Sequence, residues 1–158
     1  MSAAFFHKAG SGKTLESTYV LSDTLGTGSF AVVKKGTERA DGSQWAVKII
    51  EKAKLEKADV EALQTEVAIL ETVRHPNIVA LRQVFDSPSI FYMVMELMVG
   101  GELFDRIVEK SKYSEAEAAV VIRKLADALA YCHSRGIVHR DLKVRWSPSV
   151  YQKQTRSH

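Results

Sequence analysis

The segment LGTGSFAVVKKG, Leu25–Gly36, decides how the front of this 158-residue chain folds. Gly26 and Gly28 are followed by Ala31, where a third glycine would complete G-x-G-x-x-G. In dinucleotide-binding domains such glycines open a helix. Here Val32, Val33 and Lys34 follow, and β-branched residues favour a strand. The glycines therefore fall at the tip of a β-hairpin. Two readings of that tip stay open. It is either a merely tight turn, or a place where bare backbone N–H groups let phosphate oxygens approach closely.

Working outward, three strand-like runs cover Tyr19–Thr24, Ala31–Glu38 and Gln44–Glu51, with the hairpin signal Asp41-Gly42 between the last two. Val60, Leu63, Val67 and Leu70 recur at helical spacing and predict a helix over Lys57–Arg74. His75-Pro76-Asn77 closes it, because a residue before proline avoids the helical region. Val79–Phe85 and Ile90–Leu97 read as two further strands, and GGELFDRIVEK starts a short helix after Gly100-Gly101. Ser114 with Glu117 forms a capping box for a long amphipathic helix. Its apolar stripe is Ala118, Val121, Ile122, Leu125, Leu129 and Cys132, and Gly136 supplies the stop. The order gives an α+β chain: an antiparallel sheet with one helix, then a helical region.

Within WAVKII, Ala46, Lys48 and Ile50 share one strand face. An ammonium on such a face is costly unless an anion pairs with it. Glu66, on the flank of the helix stripe, is the economical partner, although by itself it could equally be a solvated surface acid. HRDLK, His139–Lys143, places an Asp able to accept a hydroxyl proton two residues before a Lys able to neutralise a transferring phosphoryl group. Glycine turn, lysine strand and this string follow one another in order, with helices between, and the conjunction is far more specific than any one of them. AGSGKT, Ala9–Thr14, has His7 where a Walker loop needs glycine, and no strand precedes it, so it reads as part of a flexible leader. Cys132 and His133 read as helix packing, and His139 as a structural residue.

Composition narrows the classes. The chain is 46% hydrophobic and 26% charged, as globular proteins are. No apolar run approaches the ~20 residues of a membrane helix, which speaks against membrane insertion. One cysteine permits no internal disulfide and fits a reducing cytoplasmic or nuclear setting. The net charge of +3 is carried by Arg145, Lys153 and Arg156 in Val144–His158, which has no acid. A basic tail without a basic face argues against nucleic acid.

From Tyr19 to Lys143 the chain resembles the protein kinase family, and HPNIV, VMEL and GGELFDRI are most similar to its calcium/calmodulin-dependent Ser/Thr group. The resemblance implies a five-stranded antiparallel N-lobe sheet with one αC-type helix over 18–97. A partial helical C-lobe over 98–143 follows, with a flexible leader at 1–17 and a disordered basic tail at 144–158. It implies ATP as ligand: Gly26, Thr27, Gly28, Ser29, Phe30 and Ala31 over the phosphates, Lys48 on the α- and β-phosphates, and Glu66 orienting Lys48. Leu25, Val33 and Ala46 would pack on adenine, with Met95 as gatekeeper and backbone groups of Glu96 and Met98 facing the ring edge. Glu102 would meet the ribose and favour a basic residue ahead of the target. Asp141 would be the catalytic base, and Lys143 implies Ser/Thr targets.

The pattern also breaks. The family loop H-R-D-L-x-x-x-N places a Mg²⁺-holding Asn where this chain has Trp146, and indole has no lone pair for a hard cation. Pro148 stands where an apolar residue would lie beneath adenine, and no Asp-Phe-Gly occurs. The expectation is a truncated ATP-binding relative of Ser/Thr kinases, inactive alone. The alternative is a non-catalytic, pseudokinase-like decoy that competes for protein substrates or for the partners of an intact kinase. A poorly folding product is a third reading. The exposed helix stripe invites a chaperone.

Overall fold

The computed structural model describes residues 13–98 and 114–138, which fall into two compact units. One contains the described residues up to Thr72 together with Ala80–Leu97; the other contains Val73–Val79 and the described residues from Met98 onward.

In the first unit, strands β1 (Tyr19–Thr27), β2 (Ala31–Glu38), β3 (Gln44–Glu51), β4 (Leu81–Asp86) and β5 (Ile90–Glu96) form one antiparallel sheet in the order β1-β2-β3-β5-β4. Helices α1 (Leu15–Thr18) and α2 (Lys57–Thr72) belong to the same unit. Strand alternation sorts the side chains onto two faces. One face meets α2: Leu63 and Val67 are buried with Ile50, Leu81, Val84, Phe91 and Met93, and Leu70 and Met95 pack at the margin. Burying a side chain of this kind contributes about 1.5–3 kcal/mol, enough to hold the helix on the sheet. The opposite face carries a second core of Leu15, Tyr19, Val47, Phe85, Tyr92 and Val94. The Asp41-Gly42 turn forms as its sequence predicts, with Gly42 at φ 71° and the Ser43 N–H donating to Asp41 Oδ1 at 2.9 Å.

Several boundaries differ from the sequence reading. The leader expected to be flexible through residue 17 is ordered at its end. Thr14 and Ser17 cap each other reciprocally, and Leu15 is fully buried in the second core. The first strand runs on to Thr27, with register irregularities between Leu21 and Thr24 and between Thr24 and Gly26. Helix α2 stops at Thr72 instead of Arg74, because the Arg74 N–H donates to Tyr131 Oη at 2.9 Å. Strand β4 begins at Leu81. Ala80 ahead of it is held by Glu96, whose N–H donates to the Ala80 carbonyl at 2.9 Å.

In the second unit, helix α3 (Glu115–Ser134) starts at the expected Ser114/Glu117 capping box, and Gly136 just past its end takes φ 72°. The His75-Pro76-Asn77 segment belongs to this unit. Asn77 N–H donates to His75 Nδ1 at 3.1 Å, while His75 Nε2 lies 3.2 Å from Asp127 Oδ2. Asp127 also accepts from Asn77 Nδ2 at 3.2 Å. The expected stripe of α3 is divided: Val121 is buried and Leu129 half-buried, whereas Ala118, Ile122 and Leu125 are exposed, and Ala128, outside the expected stripe, is buried. Of the two residues expected to be helix packing, Cys132 is half-buried, whereas His133 is exposed. The helix expected from GGELFDRIVEK, the HRDLK loop and the tail at 144–158 lie outside the described residues, as do residues 1–12.

Candidate nucleotide site

The α2 face of the sheet positions the candidate residues. Antiparallel pairing sets Val33, Lys48 and Met93 side by side across β2, β3 and β5, and sets Lys35, Ala46 and Met95 side by side in the next row. Cross-strand partners point to the same face, so Val33, Ala46, Lys48 and Met95 share one surface. Lys48 Nζ lies 3.2 Å from Glu66 Oε1 and 3.5 Å from Glu66 Oε2. The two side chains are 28% and 46% exposed. Sequence had left Glu66 between an ion pair and a solvated surface acid; the geometry forms the pair. It forms because Leu63 and Val67, on either side of Glu66 in the helix, are clamped onto Ile50 and Met93. The carboxylate therefore reaches the lysine from a fixed helix.

The glycine turn joins β1 to β2. Its Gly28 N–H donates to the Ala31 carbonyl at 2.8 Å, so that donor is committed to closing the hairpin. Ser29 and Phe30 are the exposed residues at the tip. Gly26 and Gly28 both lack positive φ. A Cβ on Gly26 would meet nothing within 4 Å, and one on Gly28 would meet only the Ala31 carbonyl at an ordinary 3.6 Å. Neither the backbone nor the packing of the described residues demands glycine at these two positions. Gly36 is the opposite case: a Cβ there would sit 2.7 Å from Val47 Cγ2. Leu25 and Phe30 are exposed at 48% and 49%.

At the other end of the face, Met95 is partly buried against the α2 core. Glu96 ends β5, with its N–H donated to Ala80, so a contact from its backbone to a ligand would run through the carbonyl. Met98 is half-buried and belongs to the other unit. Glu102, Asp141 and Lys143 lie outside the described residues, as does Trp146. Sequence reasoning missed one thing that bears on this face, the α1 turn behind it. Its signal was present in Thr14-x-x-Ser17, a capping pattern too short to show periodicity.

Such a sheet, with the lysine of its third strand tied to a glutamate on its one long helix, has the architecture of the strand-rich lobe of a kinase. Residues 19–145 match the protein kinase domain, and the chain belongs to that family. Among its relatives, myosin light chain kinase A of Dictyostelium discoideum is 47% identical over 129 residues, covering 82% of this chain and 44% of that protein. The serine/threonine-protein kinase DCLK1 of Rattus norvegicus is 46% identical over 144 residues, 91% of this chain and 33% of that protein. A calcium/calmodulin-dependent protein kinase type 1 from Macrobrachium nipponense is 44% identical, covering 82% of this chain and 37% of that protein. The chain thus spans less than half the length of these relatives, and its affinity is to the calcium/calmodulin-dependent type of Ser/Thr kinase.

Proposed function

We propose that this chain binds ATP on the α2 face of its sheet, and that the 158 residues by themselves do not transfer its γ-phosphate. The Lys48–Glu66 pair carries the first half. A lysine anchored by a carboxylate, yet still partly exposed, can offer its remaining N–H donors to an anion. The glycine turn fits the same ligand. Gly26 and Gly28 leave room above a backbone that needs no glycine of its own, and the tip residues Ser29 and Phe30 offer N–H groups to phosphate oxygens. Val33 and Ala46 give a flat apolar floor for adenine, bounded by Met95.

For Mg²⁺ the donor set does not fit. Trp146 occupies the place of the metal-holding Asn, and the 158 residues contain no Asp-Phe-Gly. Phosphoryl transfer rests on positioning and charge neutralisation, and loss of one well-placed electrostatic partner costs about 3–4 kcal/mol. By family, Asp141 and Lys143 would serve a protein Ser/Thr hydroxyl, with Glu102 selecting a basic residue ahead of it. Within these 158 residues they stand without the Asn that would hold the metal beside them. A non-catalytic role, competing with an intact kinase for protein partners, follows from the same substitution at Trp146.

The test is calorimetric titration of the purified chain with ATP, alongside transfer of labelled γ-phosphate to a basic Ser/Thr peptide in Mg²⁺. Binding without labelling is expected. Failure to bind ATP overturns the first half, and labelling by contaminant-free protein overturns the second.

A further inference from the structure

Residues 13–18 precede the span that matches the kinase domain, yet they are built into the back of the sheet. Leu15 is 1% exposed and belongs to the same core as Tyr19 and the fully buried Val47. The turn is gripped from three further sides. The Arg39 N–H donates to the Thr18 carbonyl at 2.8 Å, Arg39 Nε donates to the Glu16 carbonyl at 3.1 Å, and Tyr92 Oη lies 3.4 Å from Glu16 Oε1. A reciprocal cap between Thr14 and Ser17 fixes its shape. An incidental segment has no need of a receptor made from the turn after β2, from β5 and from the core.

What this turn touches decides what it can do. Val47 is the immediate neighbour of Lys48 on β3, pointing to the opposite face. Tyr19 and Leu21 of β1 meet Val47 around Gly36, where a Cβ would lie 2.7 Å from Val47 Cγ2, 3.6 Å from Leu21 Cδ2 and 3.8 Å from Tyr19 Cδ1. Leu15 therefore completes the wedge behind the three strands that carry the glycine turn and Lys48. Those strands have a helix in front only where α2 packs. Behind, the described residues cover them with α1.

We infer that Leu15 is a positioning residue for the phosphate-binding side chains: the docked Thr14–Thr18 turn sets β1 against β3 and so holds the glycine turn over Lys48. This rests on the ATP reading given above. The mechanism is indirect. Loss of the wedge lets β1 and β3 relax relative to each other, and a ligand held by groups on both strands loses its matched geometry.

The experiment measures ATP affinity by calorimetry for the full 158-residue chain and for Leu15→Ala, at a temperature where denaturation curves show both folded. Phe85→Leu serves as control, since Phe85 lies in the same core but on β4, which carries no phosphate-binding residue. Leu15→Ala is expected to weaken ATP binding about tenfold, as remote coupling residues do, with the Phe85 variant within about twofold of wild type. Amide exchange at Gly28, whose N–H closes the hairpin, should quicken in the Leu15 variant only. If Leu15→Ala does not fold, Arg39→Met, which releases the Glu16 carbonyl and leaves the core intact, decides in the same way with a smaller loss. An unchanged affinity overturns the inference, and so does an equal loss in the Phe85 control. Wild-type protein that fails to bind ATP overturns the nucleotide reading and this inference together, whereas wild-type binding with an indifferent Leu15 overturns this inference alone.

Discussion

Replacing Lys48 by Met should separate what the Lys48–Glu66 pair does for folding from what it does for a ligand. Methionine keeps most of the aliphatic stem and removes the ammonium. At 3.2 Å the gross attraction is about 5 kcal/mol for an effective dielectric near 20. Both groups are partly hydrated, at 28% and 46% exposure, so solvent screening and rotamer ordering cancel most of it. Pairs of this exposure contribute about 0.2–1 kcal/mol to stability. A charge-assisted hydrogen bond to a phosphate contributes about 1.5–3 kcal/mol, or roughly ten- to hundredfold in Kd. Denaturant unfolding of wild type, Lys48→Met, Glu66→Gln and the double variant should therefore give a coupling energy near 0.5 kcal/mol. Calorimetry with ATP should show Lys48→Met weakened by at least about tenfold, and Glu66→Gln by a smaller factor because the lysine is present but unanchored. A stability loss above about 3 kcal/mol, the signature of a broken buried pair, together with unchanged ATP affinity, would refute the reasoning. The pair would then be structural.

Three further outcomes follow from particular positions. Gly26→Val should leave denaturant stability within about 1 kcal/mol of wild type, since a Cβ there meets nothing within 4 Å. It should nevertheless weaken ATP binding, because the new side chain fills the space above the turn. Gly36→Ala should do the reverse, losing about 1–3 kcal/mol of stability by overpacking against the fully buried Val47. Raising the pH gives the third. Burial pushes the phenol of Tyr92 above its ordinary 10.0, and the neighbouring Glu16 carboxylate pushes it the same way. The unfolded phenol then loses its proton first, so the stabilising contribution is complete below pH 10 and is lost as pH climbs through the raised folded value. Unfolding curves from pH 9 upward should show a shallower fall for Tyr92→Phe than for wild type, and parallel curves would count against it.

Much of the fold was legible because it is written in short-range signals. Asp41-Gly42, the Ser114/Glu117 box and Gly136 act on backbone within a few residues of themselves, so the sequence carries them intact. Lys48 was legible for a different reason: a charge on an apolar strand face is a conflict that needs a partner, and Glu66 was the acid within reach of the same core. The boundaries that moved are those set by contacts far apart in sequence. Helix α2 ends early because Arg74 finds Tyr131, and β4 starts at Leu81, with Ala80 ahead of it bonded to Glu96. The α1 turn was missed because four residues carry no period, although Leu15 is as fully buried in the second core as its strand neighbours.

The glycines show where sequence reading stops and why. Gly26, Gly28 and Gly36 are the same letter within one hairpin, and no local pattern distinguishes their reasons. In the folded chain they separate cleanly. Gly36 is glycine because Val47 leaves no volume for a methyl group, a demand made by the protein on itself. Gly26 has volume to spare and an ordinary backbone, so no demand from the described residues holds it. A residue choice that costs strand propensity without a packing reason among the described residues is what the proposed ATP contact would require, a bare backbone that phosphate oxygens can approach. Gly28 stands with Gly26: its N–H closes the hairpin onto Ala31, but any residue except proline can make that bond, and a Cβ there would meet only the Ala31 carbonyl at an ordinary 3.6 Å.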